Sequence, residues 1–312
     1  MKKGTLRKMV LITAAIAVAA LGIAALIGLA TSGFRFAQFG RSGGGTTVDE
    51  KASVPVSGVE MLAVNAVSEN VRILEGSGSG IEAWFHGTVG TSAADAIPHM
   101  ITETKGSTAQ IRVERRQTLQ IGFAWSDLVL EIRVPAGYGG KISVGSVSGD
   151  IEIAGHAYTG IALASTSGGI RAGAMRASDV TISSTSGDVA AESLDAQRSE
   201  LSTVSGSIEI KALTGDASAH TVSGDVKLTF AAAPSLLDAS STSGALSVTL
   251  PANAGFRLDA RSTSGDVRCA FPVTVSENRS GGGQHSLAGT VGSGAGAVSL
   301  RTVSGDIRVG RK

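Results

Sequence analysis

The sequence predicts an all-β fold: a parallel β-solenoid with about 19–20 residues and two strands per rung, placed after an N-terminal transmembrane helix. Three observations carry this expectation. A Val-Ser-Gly-Asp-Ile phrase recurs at a spacing near twenty residues. Apolar residues alternate on both sides of each copy. An uncharged run from Met9 to Ala30 follows a basic N-terminus.

Composition narrows the field first. Gly contributes 42 of 312 residues, about 13% and roughly twice its average usage. Collagen is excluded, because Gly has no three-residue period and only 6 Pro are present. The lone Cys269 excludes a disulfide scaffold. A net charge of +1 and a mean hydropathy of +0.22 argue against disorder. What remains is a chain that needs many backbone turns.

Residues 1–8 form a basic flank with Lys2, Lys3, Arg7 and Lys8. Residues 9–30 are long enough to cross a hydrocarbon core of roughly 30 Å as a helix. The basic flank should stay in the cytoplasm, which puts the C-terminal part outside the bacterial cell membrane as a single-pass protein. Phe34, Phe36 and Phe39 follow the span as an interfacial anchor. A cleaved signal peptide is the rival reading, since Gly28 and Ala30 are small enough to precede a cut. The apolar run exceeds the usual h-region of roughly 7–15 residues, which favours an uncleaved anchor. No Cys lies near the span, so a lipid anchor there is excluded. Without the four basic residues of the flank, 23 basic residues face 26 acidic ones, so the remainder has no basic excess to hold nucleic acid. Residues 31–53 read as a linker, with Gly40–Thr46 flexible.

The turn column is the main signal. Its glycines are Gly149, Gly168, Gly187, Gly206, Gly224, Gly244, Gly265 and Gly305. Successive gaps are close to twenty except the last, between Gly265 and Gly305, which is doubled and implies one missing unit. Two residues after each Gly stand Ile151, Ile170, Val189, Ile208, Val226, Leu246, Val267 and Ile307, with mostly polar residues next to them. Residues seven and five before Gly are mostly apolar, as in Ile161/Leu163 and Val298/Leu300. That is period two, and a Ser-Gly step in every copy would break a helix. The column glycines are expected at positive φ in a tight corner. Parity places Ser148, Ser167, Ser186, Ser205, Ser223, Ser243, Ser264 and Ser304 on the inside, together with the Ser or Thr two residues earlier. Variable distal loops, such as Ala154–Gly160 and Lys211–Asp216, take up the spacing changes.

The residue after Gly alternates between Asp and a small residue: Asp150, Gly169, Asp188, Ser207, Asp225, Ala245, Asp266, then Asp306 after the missing unit. Rungs stack roughly 4.8 Å apart, so skipping one rung about halves the repulsion between carboxylates. A calcium ladder fits poorly, because a shared ion needs oxygens within about 2.6 Å.

Residues 54–140 read as a degenerate N-terminal β region or cap. Val67-Ser68-Glu69-Asn70-Val71-Arg72-Ile73 is a decayed copy of Val147–Ile153, and Val134-Pro135-Ala136 is echoed by Leu250-Pro251-Ala252. Trp84, Phe85, Phe123, Trp125 and Tyr138 are available to cap an open end. Residues 141–312 form the regular part, with an irregular insertion at 270–297 that is either a degenerate rung or a hairpin. A long excursion on a regular scaffold suits a binding loop, and a plain mobile loop is the simpler reading.

No chemistry converges. Gly40-Arg41-Ser42-Gly43-Gly44 fits G-x-S-x-G but sits in the linker, without strand or helix around it. His86, His99, His156, His220 and His285 lack metal-ligand spacing, and Cys269 reads as a packed small side chain. The Val/Thr column two before Gly is not a Thr array, since half of it is Val; β-branched residues simply suit a strand. No catalytic, cofactor or metal residue is assigned.

These features together resemble a bacterial family of unknown biochemical function labelled "putative adhesin". The resemblance rests on an N-terminal membrane segment, a Val134-Pro135-Ala136-Gly137 lead-in and Ser-Gly-Asp turns starting at Ser148, Ser186, Ser223, Ser264 and Ser304, and it spans about residues 54–312. It implies a β-solenoid-like fold, an envelope location and no catalytic residues. The expected function is a non-catalytic, membrane-anchored surface module: an adhesin or a protein-interaction scaffold with an envelope protein or glycan as partner. The alternative is a carbohydrate-active enzyme on a β-helix, which would need clustered acids in a groove and aromatic platforms.

Overall fold

The computed structural model describes residues 45–90, 97–114, 125–279 and 285–312. The basic flank, the expected membrane span, Phe123 and the G-x-S-x-G run fall outside these residues. Among the described residues no helix is long and apolar enough to cross a membrane.

Alternating apolar and polar residues give strands throughout. In chain order the N-terminal part holds β1 (Thr46–Pro55), β2 (Met61–Asn65), β3 (Asn70–Gly76), β4 (Gly80–Gly90), β5 (His99–Lys105), β6 (Thr108–Glu114) and β7 (Trp125–Pro135). The first repeats supply β8 (Lys141–Ser146), β9 (Ile151–Ile153), β10 (His156–Ala157) and β11 (Gly160–Ser165). Three long strands follow: β12 (Ile170–Ser184), β13 (Val189–Ser202) and β14 (Ile208–His220). The chain then makes β15 (Val226–Phe230), β16 (Leu236–Ser243), β17 (Leu246–Leu250), β18 (Phe256–Ser264) and β19 (Val267–Cys269). It ends with β20 (Thr274–Arg279), β21 (His285–Val291), β22 (Gly296–Ser304) and β23 (Ile307–Arg311). Strand β1 begins inside the stretch read as linker.

The pairing is largely parallel and runs along two sides. One side reads β1-β4-β7-β3-β9-β12-β13-β14-β15-β17-β23-β19. The other reads β5-β6-β2-β8-β11-β12-β13-β14-β16-β22-β18-β21-β20. Antiparallel strands close the ladder at β1, β4 and β5, and again at β20 and β21. At the N-terminal end Glu50 stitches the two sides together: its carboxylate accepts from the Met100 amide at 2.6 Å and meets His99 Nδ1 at 2.6 Å. The insertion at 270–297 is therefore a capping hairpin, of which residues 280–284 are not described.

Between the sides lie stacked apolar rows. Ile151, Ile170, Val189, Ile208, Val226, Leu246 and Ile307 are in direct register, each at most 1% exposed. Opposite them run Ile142, Ile161, Val180, Ser199, Ala217, Leu237, Val298 and Leu258, a row that is apolar apart from the buried Ser199. Each row lets one rung bury its methyl groups on the next, which is where such a ladder gains its stability.

Burial also explains how an odd repeat keeps one face inside. In the rung of β12 the inward residues are Ile170, Ala172, Met175, Ala177, Val180, Ile182, Ser184 and Gly187. Three of the steps between them are three residues long instead of two. Each such slip is a corner, so the rung has three corners and a third side. Strands β12, β13 and β14 wrap all three sides as single strands of 15, 14 and 13 residues. This corrects the expectation of two strands per rung for the central rungs. It also places Lys211–Asp216 within a strand, not in a loop.

Two further expectations are corrected at the Gly column. None of its eight glycines has positive φ. The requirement is close approach: a Cβ on Gly187 would stand 2.0 Å from the Gly168 carbonyl oxygen, and one on Gly168 2.1 Å from that of Gly149. The doubled gap is not a missing unit either. A Cβ on Gly305 would meet the Gly244 oxygen at 2.1 Å, and one on Gly265 would meet the Gly305 oxygen at 2.1 Å. The last repeat in the chain is thus inserted between the two before it. Strands β22 and β23 lie between β16/β17 and β18/β19.

These two kinds of glycine behave differently on substitution. Gly187→Ala should cost about 3 kcal/mol or more, because the obstacle is backbone that has no room to move. Gly106 has φ +60 and open space around it. Gly106→Ala should cost only about 1–2 kcal/mol. Urea unfolding of both variants measures the contrast.

Candidate functional site: the corner ridge

Three kinds of rung-to-rung hydrogen bond build the Gly corners. The first uses the buried Ser or Thr three residues before Gly. Ser184, Thr203, Thr221, Ser241, Thr302 and Ser262 donate to the carbonyl oxygens of Gly168, Gly187, Gly206, Gly224, Gly244 and Gly305, at 2.8–3.4 Å. The oxygen that forbids a Cβ on the next rung is therefore also the acceptor that holds that rung. The second bond belongs to the Asp column. The amides of Gly169, Ser207 and Ala245 donate to Oδ1 of Asp150, Asp188 and Asp225, each at 2.8 Å, and the Asp266 amide donates to Asp306 at 3.0 Å. Asp150 in turn donates its amide to Asn70 Oδ1 at 3.0 Å. One carboxylate serves the rung that follows, which is why the residue stacked on it can be small. The third bond joins backbone to backbone, as from the Ser186 amide to the Thr166 oxygen.

The structure brings the eight glycines and five aspartates of the column into one line, in the spatial order 149, 168, 187, 206, 224, 244, 305, 265. In that order Asp306 and Asp266 stand on neighbouring rungs, which the alternation in chain order concealed. Arg308 and Arg268 each meet their own Asp at 2.6 Å, and His285 stands 3.4 Å from Asp266. The local charge there is balanced by cations instead of by distance.

The serines next to Gly do not point inward. Ser148, Ser167, Ser186, Ser205, Ser223, Ser243, Ser264 and Ser304 are all exposed. Parity fails because the corner lies between the buried hydroxyl and the Gly, so two successive residues face out. The second is the Val/Thr position. Val67, Val204, Val222 and Val303 are 45–53% exposed, and they are four of the seven exposed large hydrophobics among the described residues. Together the two rows form a ridge over nine rungs, from Val67-Ser68 to Thr263-Ser264, about 38 Å long at the usual strand spacing. It carries no charge.

The sides flanking the ridge are different. The side after the ridge carries exposed ion pairs between neighbouring rungs, Arg72–Glu152 at 3.3 Å and Glu209–Lys227 at 2.8 Å; on the side before it Arg301 meets Asp259 at 3.3 Å, while Glu192–Lys211 at 2.6 Å and Arg176–Asp195 at 2.8 Å lie further round the rung. Such pairs contribute roughly 0–1 kcal/mol each and mainly fix register.

Glu69 begins the ladder, and sequence reasoning missed its role. It stands where later rungs have Gly, is 2% exposed, and accepts from the amides of Val67 and Ser68 at 3.1 and 3.0 Å and from Ser68 Oγ at 3.0 Å. On later rungs the equivalent serine amides bond to the preceding rung. Here a carboxylate accepts what a backbone oxygen accepts on later rungs. The signal was available: an acid in the Gly position of the first copy.

No reactive cluster is assembled from the histidines. His86 stacks on Trp84 at 3.9 Å, His156 Nε2 meets the Tyr138 carbonyl at 2.8 Å, and His220 lies between Ser218 and Ser240 at 2.7 and 2.8 Å. His99 and His285 pair with Glu50 and Asp266. Among the described residues no three His, Cys, Asp or Glu side chains converge to hold a metal ion. Cys269 is half-buried in β19, and burial pushes its thiol above the usual range. Trp84 is not an open sugar platform, since Lys51 sits over its ring at 4.8 Å and His86 stacks against it.

The family model described as Toastrack DUF4097 matches residues 59–310. The chain belongs to this family. Toastrack similarity extends to solved structures at the level of fold. A crystal structure of a "putative adhesin" from Bacteroides fragilis matches with a TM-score of 0.50 at 14% identity, over 85% of this chain and 97% of that one. One of a "putative adhesin" from Parabacteroides distasonis gives a TM-score of 0.48 at 14% identity, over 86% and 98%. No curated protein matches the chain.

Two outcomes follow from the corner chemistry. Glu69→Ala should destabilise the protein by about 2–4 kcal/mol in urea unfolding, because it strands two amides near the first rung. Cys269 should react with a maleimide at pH 8 at least about tenfold more slowly in the native chain than in urea, since the reactive species is the thiolate.

Proposed function

We propose that this chain is a non-catalytic binding module of the bacterial envelope, adhesin-like, held at the membrane by residues 9–30 and projecting its β-solenoid on the extracytoplasmic side. The observation that carries the reading is the corner ridge: an uncharged, evenly repeated row of Val, Thr and exposed Ser along one corner of the stack. A surface that must only be soluble has no need to expose Val67, Val204, Val222 and Val303 in one line. The hydrogen bonds beneath the ridge hold it rigid, so a partner would bind without ordering cost in this protein. The scattered histidines and paired acids support a role in binding over one in catalysis.

The test uses the full chain in detergent, probed on an array of neutral glycans, charged glycans and peptidoglycan fragments. Captured probes should bind at least about tenfold more weakly to the double variant Val204→Asp/Val222→Asp, and equally well to Lys227→Gln on the flanking side. Unchanged binding by the double variant would remove the ridge from the account. Steady turnover of any glycan, abolished by a single outer-face substitution, would replace the module with an enzyme.

A further inference from the structure

The swapped order of the last rungs has a physical consequence. After β16 and β17 the chain steps over one strand position, lays down β18 and β19, forms the β20–β21 hairpin and only then returns to fill the position it left. Until β22 arrives, β18 has β21 as its neighbour and no parallel partner. The connection that makes the return is tight, with Gly292 at φ +54 and Gly294 at φ +65.

The corner chemistry does not choose between orders. Ser262-Gly265-Asp266 and Thr302-Gly305-Asp306 carry the same groups, and either could stack on Gly244. Side-chain contacts make the choice. Arg301 reaches Asp238 on one neighbouring strand at 3.6 Å and Asp259 on the other at 3.3 Å, which only a central position allows. Ile307 and Val309 are 0% and 2% exposed, whereas Val267 and Cys269, on the outermost strand of their side, are only half-buried. Arg311 lies over Phe271 at 5.9 Å, and Phe271 meets Phe256 edge-on at 5.2 Å, tying the two rungs to each other.

We propose that residues 296–312 are a clasp: a strand pair that docks last into a slot between β16/β17 and β18/β19, and whose release frees the whole C-terminal cap as one unit. With the clasp out, β18 and β19 can settle directly on β16 and β17 in the order of the chain. The rung thus has two arrangements that use the same ladder of hydrogen bonds, and the clasp selects one. In the observed state the clasp buries two unpaired sheet edges.

Exposed serines at the corner test this in the full chain, in a Cys269→Ser background. Ser304 pairs directly with both Ser243 and Ser264. The pair Ser243→Cys/Ser304→Cys should therefore oxidise readily. In Ser243→Cys/Ser264→Cys a whole rung intervenes, roughly 9.6 Å, beyond the usual disulfide reach of about 4.4–6.8 Å between Cα atoms. Hydrogen exchange of the reduced chain should show β18, β19, β22 and β23 opening together, at least about tenfold faster than β12–β14. Oxidising the 243–304 pair should slow that opening at least about tenfold and leave β12–β14 unchanged. Slow oxidation of the 243–264 pair, at the rate at which the cap opens, is expected from the second arrangement; oxidation as fast as that of the 243–304 pair would overturn the inserted order. Protection of β22 and β23 equal to that of β13 in the reduced chain would overturn the clasp.

Discussion

Everything in this fold depends on one contact: the carbonyl oxygen of a column Gly held against the α-carbon of the Gly on the next rung. A side chain cannot enter that gap, so every rung of this column from Gly149 onward carries Gly. The same oxygen accepts a hydroxyl from the buried Ser or Thr beside it. Close approach brings the inner apolar rows into register, and register lets each rung bury its methyl groups on its neighbours. The Asp carboxylates add a second line of bonds just outside the first. Loss of one corner would therefore loosen the packing on both sides of the rung.

The same contact explains why the surface differs from place to place. Along the side that follows the ridge, outward residues such as Arg72, Glu152, Glu209 and Lys227 sit above a regular ladder and pair by charge with the rung before or after. At the corner the chain turns so sharply that two successive residues face out. Neither can reach a charged partner without leaving the line, and Val, Thr and Ser fill the positions. The ridge is in that sense a product of the corner, and its rigidity comes from the bonds under it. A binding role on this ridge needs no moving part.

Much of this was legible in the sequence. The phrase around each Gly revealed the rung, and alternation identified Ile151, Ile170 and their successors as the inner row. Glu69 and Asn70 were recognisable as a decayed first corner. Three things were not legible, each for a physical reason. Positive φ was the natural expectation for a corner Gly, but the chain needs the missing Cβ for space, and spacing alone cannot separate the two. Strict parity put Ser186 and its equivalents inside, because parity has no way to register a corner until burial reveals the slip. The place of Gly305 could not be read from repeats that are interchangeable; Arg301, between Asp238 and Asp259, carries that information only once the strands are placed.

Backbone contact at the Gly column sets the shape of the rung, and side-chain contacts around Arg301 set the order of the last rungs. A crystal structure that resolves the carbonyl oxygens tests it most directly. The expected result is negative or extended φ at all eight column glycines, the Gly168 oxygen against Gly187, and Gly305 between Gly244 and Gly265 with Thr302 bonded to the Gly244 oxygen. Positive φ at these corners, or Gly265 stacked directly on Gly244, would contradict it.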